Sequence, residues 1–204
     1  MAQYFDNVDL KSEIRQISVN ICGTDLKFNT DNGVFSKSKL DFGTRSLLEN
    51  LPLTELNGNI LDIGCGYGPI GIYLSKATGA NVDMVDVNKR AIHLAKMNAD
   101  LNKVKANIFE SDAYSSISNK YDSIVTNPPI RVGKTILYSI IMEARNYLVS
   151  GGRLFLVVHK DQGAKSIIID LKKYYDVSIL AKNKGFFVIR CIFHWLVACF
   201  VLII

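Results

Sequence analysis

Asn127-Pro128-Pro129-Ile130 closes an apolar run from Tyr121 to Thr126, and its residue types could do chemistry on an amine. A residue before proline is driven to extended geometry, and proline fixes its own φ and has no N–H. The side-chain amide of Asn127 and the carbonyl of Pro128 can then stand as two fixed acceptors at a strand's end, with Pro129 stiffening the corner. Such a pair matches an amino group that carries two N–H bonds. A proline-rich turn that merely closes a strand has the same composition, so the reading depends on what lies upstream.

Upstream, Leu61-Asp62-Ile63-Gly64-Cys65-Gly66-Tyr67-Gly68-Pro69-Ile70-Gly71 is a short apolar strand that enters a glycine-rich turn and then a helical pattern. Alternate glycines let a backbone turn tightly and approach a ligand with no Cβ in the way. In an α/β fold, the crevice at such a turn takes a nucleotide-like ligand. The next strand-like run, from Asn81 to Val85, ends in Asp86 and Val87. Asp86 is placed to take two ribose hydroxyls.

Gly66-Tyr67-Gly68-Pro69-Ile70-Gly71 also satisfies the dinucleotide pattern G-x-G-x-x-G, with Asp86 at about the spacing that nicotinamide binders require. Three features favour S-adenosylmethionine over a dinucleotide. Asp62 precedes the first glycine, where a carboxylate suits a sulfonium and an ammonium but repels a pyrophosphate. A further acid, Asp112 in Ser111-Asp112-Ala113, follows a third strand-like run from Ala106 to Phe109, where an adenine edge would lie. A hydride-transfer enzyme, finally, has no evident use for the Asn-Pro-Pro corner. A nicotinamide-dependent oxidoreductase and a cofactor-binding RNA module without catalysis remain the alternatives.

These motifs resemble the class I S-adenosylmethionine-dependent methyltransferases of the ribosomal RNA guanine-N2, RsmC-like small-subunit family, in its single-domain form. The resemblance covers about residues 12 to 190. It rests on Phe35-Ser36 with Leu40-Asp41-Phe42-Gly43-Thr44 and Leu47-Leu48, on the loop from Asp62 to Gly71, and on Asn127-Pro128-Pro129-Ile130-Arg131 with Gly133-Lys134. It implies that Asp62, Gly64, Cys65, Gly66 and Gly68 line the methionine end of the cofactor, that Asp86 and Val87 hold the ribose, and that Asp112 and Ala113 meet the adenine. It implies that Asn127 and Pro128 hold the amine, with Phe35, Ser36, Ile130, Arg131 and Lys134 on the substrate side. Relatives that act on adenine N6 or on a protein glutamine commonly carry an aromatic residue in the fourth place of the corner. Ile130 is aliphatic, which favours guanine N2 in small-subunit ribosomal RNA.

The elements that must position these residues follow from periodicity. Ile14, Ile17, Val19 and Ile21 alternate with polar residues, Cys22 to Asp25 reads as a turn, and Leu26 to Phe28 returns, which predicts a hairpin within an extension over residues 1–35. Helical spacing runs from Leu40 to Asn50. Thereafter strands alternate with helices expected over Gly68 to Ala77, Asn88 to Ala99, Lys134 to Leu148 and Ala164 to Tyr174. This predicts an α/β, Rossmann-like fold: a mostly parallel seven-stranded sheet with helices on both faces. Val177 to Ala181 and Phe186 to Arg190 are too close for a parallel crossover, so the last strand runs antiparallel.

A chain of 204 residues suits one domain that buries roughly 70% of its unfolded surface. Cys22, Cys65, Cys191 and Cys199 are scattered without a C-x-x-C, and His93, His159 and His194 are unclustered. No zinc or other metal site and no secretion are expected, and a reducing cytoplasm suits the cysteines. Residues 1–60 hold six basic and eight acidic side chains, so the rest of the chain carries the net charge of +5 and more. Lys103, Lys105, Lys120, Arg153, Lys160, Lys165, Lys172, Lys173, Lys182 and Lys184 join Arg131 and Lys134 there. They would draw a polyanion such as ribosomal RNA or an assembling subunit, or simply solvate the surface. Residues 191–204 are almost wholly apolar and shorter than the about 20 residues of a membrane span. A buried strand extension, a tail anchor reaching back through Phe186 and a non-native terminus all suit that composition.

Overall fold

The chain, whose computed structural model describes residues 10–129 and 133–194, begins with a hairpin. β1 (Arg15–Ile21) pairs antiparallel with β2 (Thr24–Thr30), from Arg15 opposite Thr30 to Ile21 opposite Thr24. Cys22 and Gly23 alone make the turn, with φ of 47° and 82°, the positive pair whose twist matches the flanking strands. Thr24 and Asp25, expected in the turn, are already paired. Val19, Ile21, Leu26 and Phe28 alternate onto the buried face.

After α1 (Phe42–Glu49) the chain alternates as expected: β3 (Asn59–Ile63), α2 (Pro69–Thr78), β4 (Asn81–Asp86), α3 (Lys89–Leu101), β5 (Asn107–Glu110), β6 (Tyr121–Thr126), α4 (Lys134–Glu143), β7 (Leu148–His159), α5 (Ala164–Leu171), β8 (Tyr175–Asn183) and β9 (Phe186–Phe193). The seven-stranded sheet has the order β5-β4-β3-β6-β7-β9-β8. β5, β4, β3, β6 and β7 are parallel, and β9 runs antiparallel between β7 and β8. Strand alternation divides the core in two. Ile60, Met84, Val125, Phe155 and Val157 pack with α1, α2, α3 and the hairpin on one face. Leu61, Val85, Ile124, Leu154 and Leu156 pack with α4 and α5 on the other.

Three boundaries differ from expectation. The helix expected to reach Leu148 ends at Glu143 and passes through a short 3-10 turn at Ala144–Asn146. Leu148 is buried and begins β7 opposite Tyr121, and a register shift precedes the pairing of Ser123 with Arg153. The helix expected to reach Tyr174 ends at Leu171, because Tyr175 is buried opposite Phe193. That pairing carries β9 three residues past Arg190, with Cys191 and Phe193 buried. Phe186–Phe193 is therefore a sheet strand and no part of an anchor, while residues 195–204 lie outside the described residues.

The hairpin belongs to no edge of the large sheet. Two asparagines on α3 hold it instead. Asn98 Oδ1 accepts from Asn29 N (2.6 Å) and its Nδ2 donates to Asn29 O (2.9 Å). At the C-cap, Asn102 does the same for Lys27, at 3.0 and 2.7 Å. Four helical residues rise about 6 Å and two strand residues about 6.8 Å, so amides one turn apart meet alternate residues of β2. Fully buried Asn98 also donates to Tyr67 O in the glycine turn at 2.8 Å. Replacing it leaves the buried Tyr67 carbonyl and the part-buried Asn29 backbone groups without these partners. Asn98→Leu is expected to lower unfolding free energy by about 2–4 kcal/mol, measured by urea denaturation of the ligand-free protein.

Candidate active site

Parallel strands present their carboxyl ends to one rim, and the site is built there. β3 and β6 are neighbours, and Asp62 pairs with Val125. One residue further along each strand, Thr126 Oγ1 donates to Ile63 O at 2.8 Å. The glycine turn and Asn127 therefore leave adjacent strands side by side. On the other flank Gly64 N and Cys65 N both donate to Val85 O at 2.9 Å, and Ser111 N donates to Asp86 O at 3.1 Å. Asp112 and Ala113 thus follow directly on the exit of β4; Asp112 is exposed and Ala113 has a positive φ of 46°.

The glycines divide by task. Gly64 and Gly66 have φ of 73° and 57°, and a Cβ on either would meet nothing within 4 Å, so both open onto space. Gly68 and Gly71 serve packing: a Cβ on Gly68 would reach Ile72 at 2.9 Å, and one on Gly71 would reach Met84 Sδ at 2.2 Å. Cys65 turns its thiol into the core, where burial pushes it well above its ordinary range. It can offer a ligand backbone only.

Two carboxylates lie beneath the turn. Fully buried Asp62 accepts from Gly71 N at 2.8 Å, satisfying one of the orphan donors in the first turn of α2. Its Oδ1 has no hydrogen-bond partner among the described residues. Burial, and next the charge of Asp86, push its pKa up to about 7. Half-buried Asp86 accepts from Gly66 N (2.9 Å) and Asn88 N (2.8 Å), which joins the turn to the start of α3. Burial raises its pKa as well. Two acids and open glycines fit a cationic ligand and disfavour a pyrophosphate.

Asn127 is half-exposed, and its orientation is fixed. Its Nδ2 donates to Asp41 Oδ2 (3.0 Å) and Thr44 Oγ1 (2.8 Å). With both N–H bonds committed, the amide oxygen is the polar atom left to face a ligand. Asp41 Oδ2 also accepts from Thr44 N at 2.9 Å as the N-cap of α1. Gly43 is required there because a Cβ would meet Phe186 at 2.9 Å. The segment Leu40-Asp41-Phe42-Gly43-Thr44, to which no task could be assigned by sequence, is what aims Asn127. Pro128 is buried and Pro129 half-buried. Ile130, Arg131 and the side chain of Lys134 lie outside what is described.

Phe35 and Ser36 lie in the loop that carries the chain from β2 to α1. Arg90 donates to Asn32 O (2.8 Å) and Leu10 O (2.8 Å), and Asn88 Nδ2 donates to Gly33 O (3.3 Å). The loop is thereby pinned over the start of α3, beside Asp86. Phe35 is 45% exposed, and Ser36 takes a positive φ of 58° with its hydroxyl on Lys39 O at 2.7 Å. Among the described residues no group of three or more His, Cys, Asp or Glu is placed to hold a metal ion.

A seven-stranded sheet with its last strand reversed, acids beneath a glycine turn and an Asn-Pro-Pro corner define a Rossmann-like S-adenosylmethionine-dependent methyltransferase. Residues 25–190 match the methyltransferase small domain, and the chain belongs to that family. It is 39% identical over 192 residues to the uncharacterized protein YbxB of Bacillus subtilis, covering 92% of this chain and 96% of that one. It is 35% identical over 184 residues to ribosomal RNA small subunit methyltransferase C of Psychromonas ingrahamii, covering 88% of this chain and 52% of the relative. Among solved structures, the T. thermophilus 16S rRNA N2 G1207 methyltransferase (RsmC) in complex with AdoMet and guanosine superposes with a TM-score of 0.81 at 28% identity. That match covers 91% of this chain and 52% of the other. The chain thus spans about half the length of the methyltransferase C relatives it matches.

Asp62 carries a stability cost that can be measured. Its folded pKa, about 7, lies above the unfolded carboxylate value. The stabilising contribution is complete below the unfolded value and is lost as pH rises through the folded one. In the ligand-free protein at pH 8, Asp62→Asn is therefore expected to raise the melting temperature, by an amount reflecting a few kcal/mol, and the gain should vanish near pH 4. The same change is expected to weaken S-adenosylmethionine binding about tenfold at pH 8 by titration calorimetry.

Proposed function

We propose that the protein methylates an exocyclic amine, guanine N2 of small-subunit ribosomal RNA, and works in the cytoplasm. One observation carries the reading: the Asn127 amide is locked by Asp41 and Thr44 on the strand next to the glycine turn. The relatives named for small-subunit ribosomal RNA methylation support the RNA target.

Guanine N2 is a poor nucleophile because its lone pair is delocalised into the ring. The Asn127 amide oxygen and the Pro128 carbonyl would accept its two N–H bonds and turn the lone pair out of the ring plane. As positive charge develops on that nitrogen, the two carbonyl dipoles stabilise it without reorganising, because the proline ring and the Asp41–Thr44 clamp already hold them. S-adenosylmethionine, when bound, supplies an activated methyl group on a sulfonium. Gly64 and Gly66 would leave space for it, Asp62 Oδ1 would meet its cationic end, and Asp86 its ribose. The methylated nitrogen then sheds one of its two protons to water, so no strong base is required of the chain. Its task is alignment, for which effective molarities correspond to roughly 7–11 kcal/mol. A base within folded RNA must also be unstacked to reach the corner, at a cost of about a few kcal/mol.

Asn127→Ala is expected to reduce methyl transfer by at least about 10²-fold while cofactor affinity stays within a few-fold. Thr44→Val, which frees one amide hydrogen and lets Asn127 tilt, is expected to lower turnover about tenfold. Tritiated cofactor incubated with ribosomal RNA and small subunits from cells lacking the protein provides the assay. Label at guanine N2 supports the assignment. Label at adenine N6 or on a protein glutamine overturns the substrate, and full turnover by Asn127→Ala overturns the corner's role.

A further inference from the structure

Beyond the Asn127 corner, away from the glycine turn, the rim carries an aromatic ledge that the methyl-transfer reading does not use. Thr126 pairs with Leu156, so His159 lies three residues further along β7 and projects about 10 Å past the end of β6. Its ring meets Phe186, opposite it on β9, with centroids 4.7 Å apart. Phe186 in turn meets Phe42 at 5.6 Å. Phe42 follows Asp41, the residue that aims Asn127, so the row of rings ends at the reacting corner. Phe42, Phe186 and His159 are all half-buried and keep part of their surface in solvent.

Cations border this row. Lys184 and Gly185, with φ of 46° and 84°, form the two-residue turn between β8 and β9. The turn sets Lys184 Nζ over the Phe42 ring, 4.8 Å from its centroid. Lys160 N donates to Gly185 O at 2.8 Å, which ties this tip to the end of β7, and the side chains of Lys160, Lys182 and Lys184 are exposed. Gly185 is required at the tip, since a Cβ would meet His159 Nε2 at 2.6 Å.

Aromatic faces stack on unpaired bases with little regard to sequence, and lysines along such a row neutralise the phosphates. A duplex offers its bases to neither. Resting on the RNA reading above, we infer that Phe42, Phe186 and His159, with Lys160 and Lys184, bind the single-stranded nucleotides next to the target base. The ledge holds the flanking strand out of its helix, which keeps the target base unstacked while Asn127 and Pro128 engage it.

The double variant Lys160→Glu/Lys184→Glu changes two exposed side chains, and thermal melting checks that it folds. Labelled oligouridylate and an RNA duplex hairpin of equal length serve as probes. Wild-type protein is expected to prefer the single strand, and the variant to bind it about tenfold more weakly, with a salt slope flattened by about 0.7 for each phosphate that is no longer neutralised. On ribosomal RNA, its KM should rise with kcat at saturation unchanged. Photo-crosslinks from 4-thiouridine RNA should map to Phe42 or Phe186. Unchanged affinity and slope in the variant, or crosslinks only elsewhere, overturn the ledge while wild-type RNA methylation leaves the functional reading standing. A wild-type protein that binds no RNA and labels a protein substrate overturns both.

Discussion

One carboxylate oxygen holds the candidate corner together. Asp41 Oδ2 accepts from Thr44 N in the first turn of α1 and from Asn127 Nδ2 just past the end of β6. A proline corner alone fixes a backbone; it does not decide which way the preceding amide faces. That decision falls to a residue 86 positions earlier in the chain. The N-terminal segment therefore sets the direction of the Asn127 amide, and its own placement matters. Asn98 and Asn102 fix β2 on α3, Arg90 and Asn88 fix the loop that follows, and Thr30 Oγ1 reaches Lys37 O at 2.6 Å. Asn98 reaches the glycine turn as well, so both halves of the crevice lean on the same helix.

The glycine turn shows a conflict between folding and binding. Asp62 contributes to the start of α2 through Gly71 N, a service that a neutral acceptor could provide. A carboxylate in that buried place, with Asp86 near enough to raise its pKa, costs the ligand-free fold stability once it ionises. The packing around it is tight, with Gly71 against Met84, Gly68 against Ile72 and Thr126 tied to Ile63. On the proposed function, a bound cation would restore the stability given up there.

Legibility in the sequence followed the range of the interactions. The glycine turn, the alternation of elements and the reversal of β9 depend on neighbours along the chain, and Leu61 to Gly71 or the short link before Phe186 display them directly. Asp86 also ends its strand as expected, as the last residue of β4. The tasks of Asp41, Thr44, Asn98 and Asn102 did not show, because each depends on a partner far away in sequence. An asparagine inside a helix carries no local sign that it substitutes for a strand edge. Two helix ends were hidden for a related reason. Ala144-Arg145-Asn146 contains no glycine or proline to stop a helix, and the turn is held by contacts such as Arg145 over the Tyr174 ring at 4.0 Å. Cys191 to Phe193 look like foreign apolar sequence until Tyr175 is seen opposite Phe193.

The position of β9 imposes an order on assembly. It is the last strand described, yet it lies between β7 and β8, and among the described residues β8 pairs with β9 alone. On a nascent chain, the β5-β4-β3-β6-β7 portion can form while β8 waits unpaired and β7 presents an open edge. Ile189, Cys191 and Phe193 then close that edge and complete the core beneath α5 together. Translation that pauses or stops before Phe186 leaves this edge available to other chains, so the vulnerable interval for aggregation falls between the synthesis of β8 and that of β9.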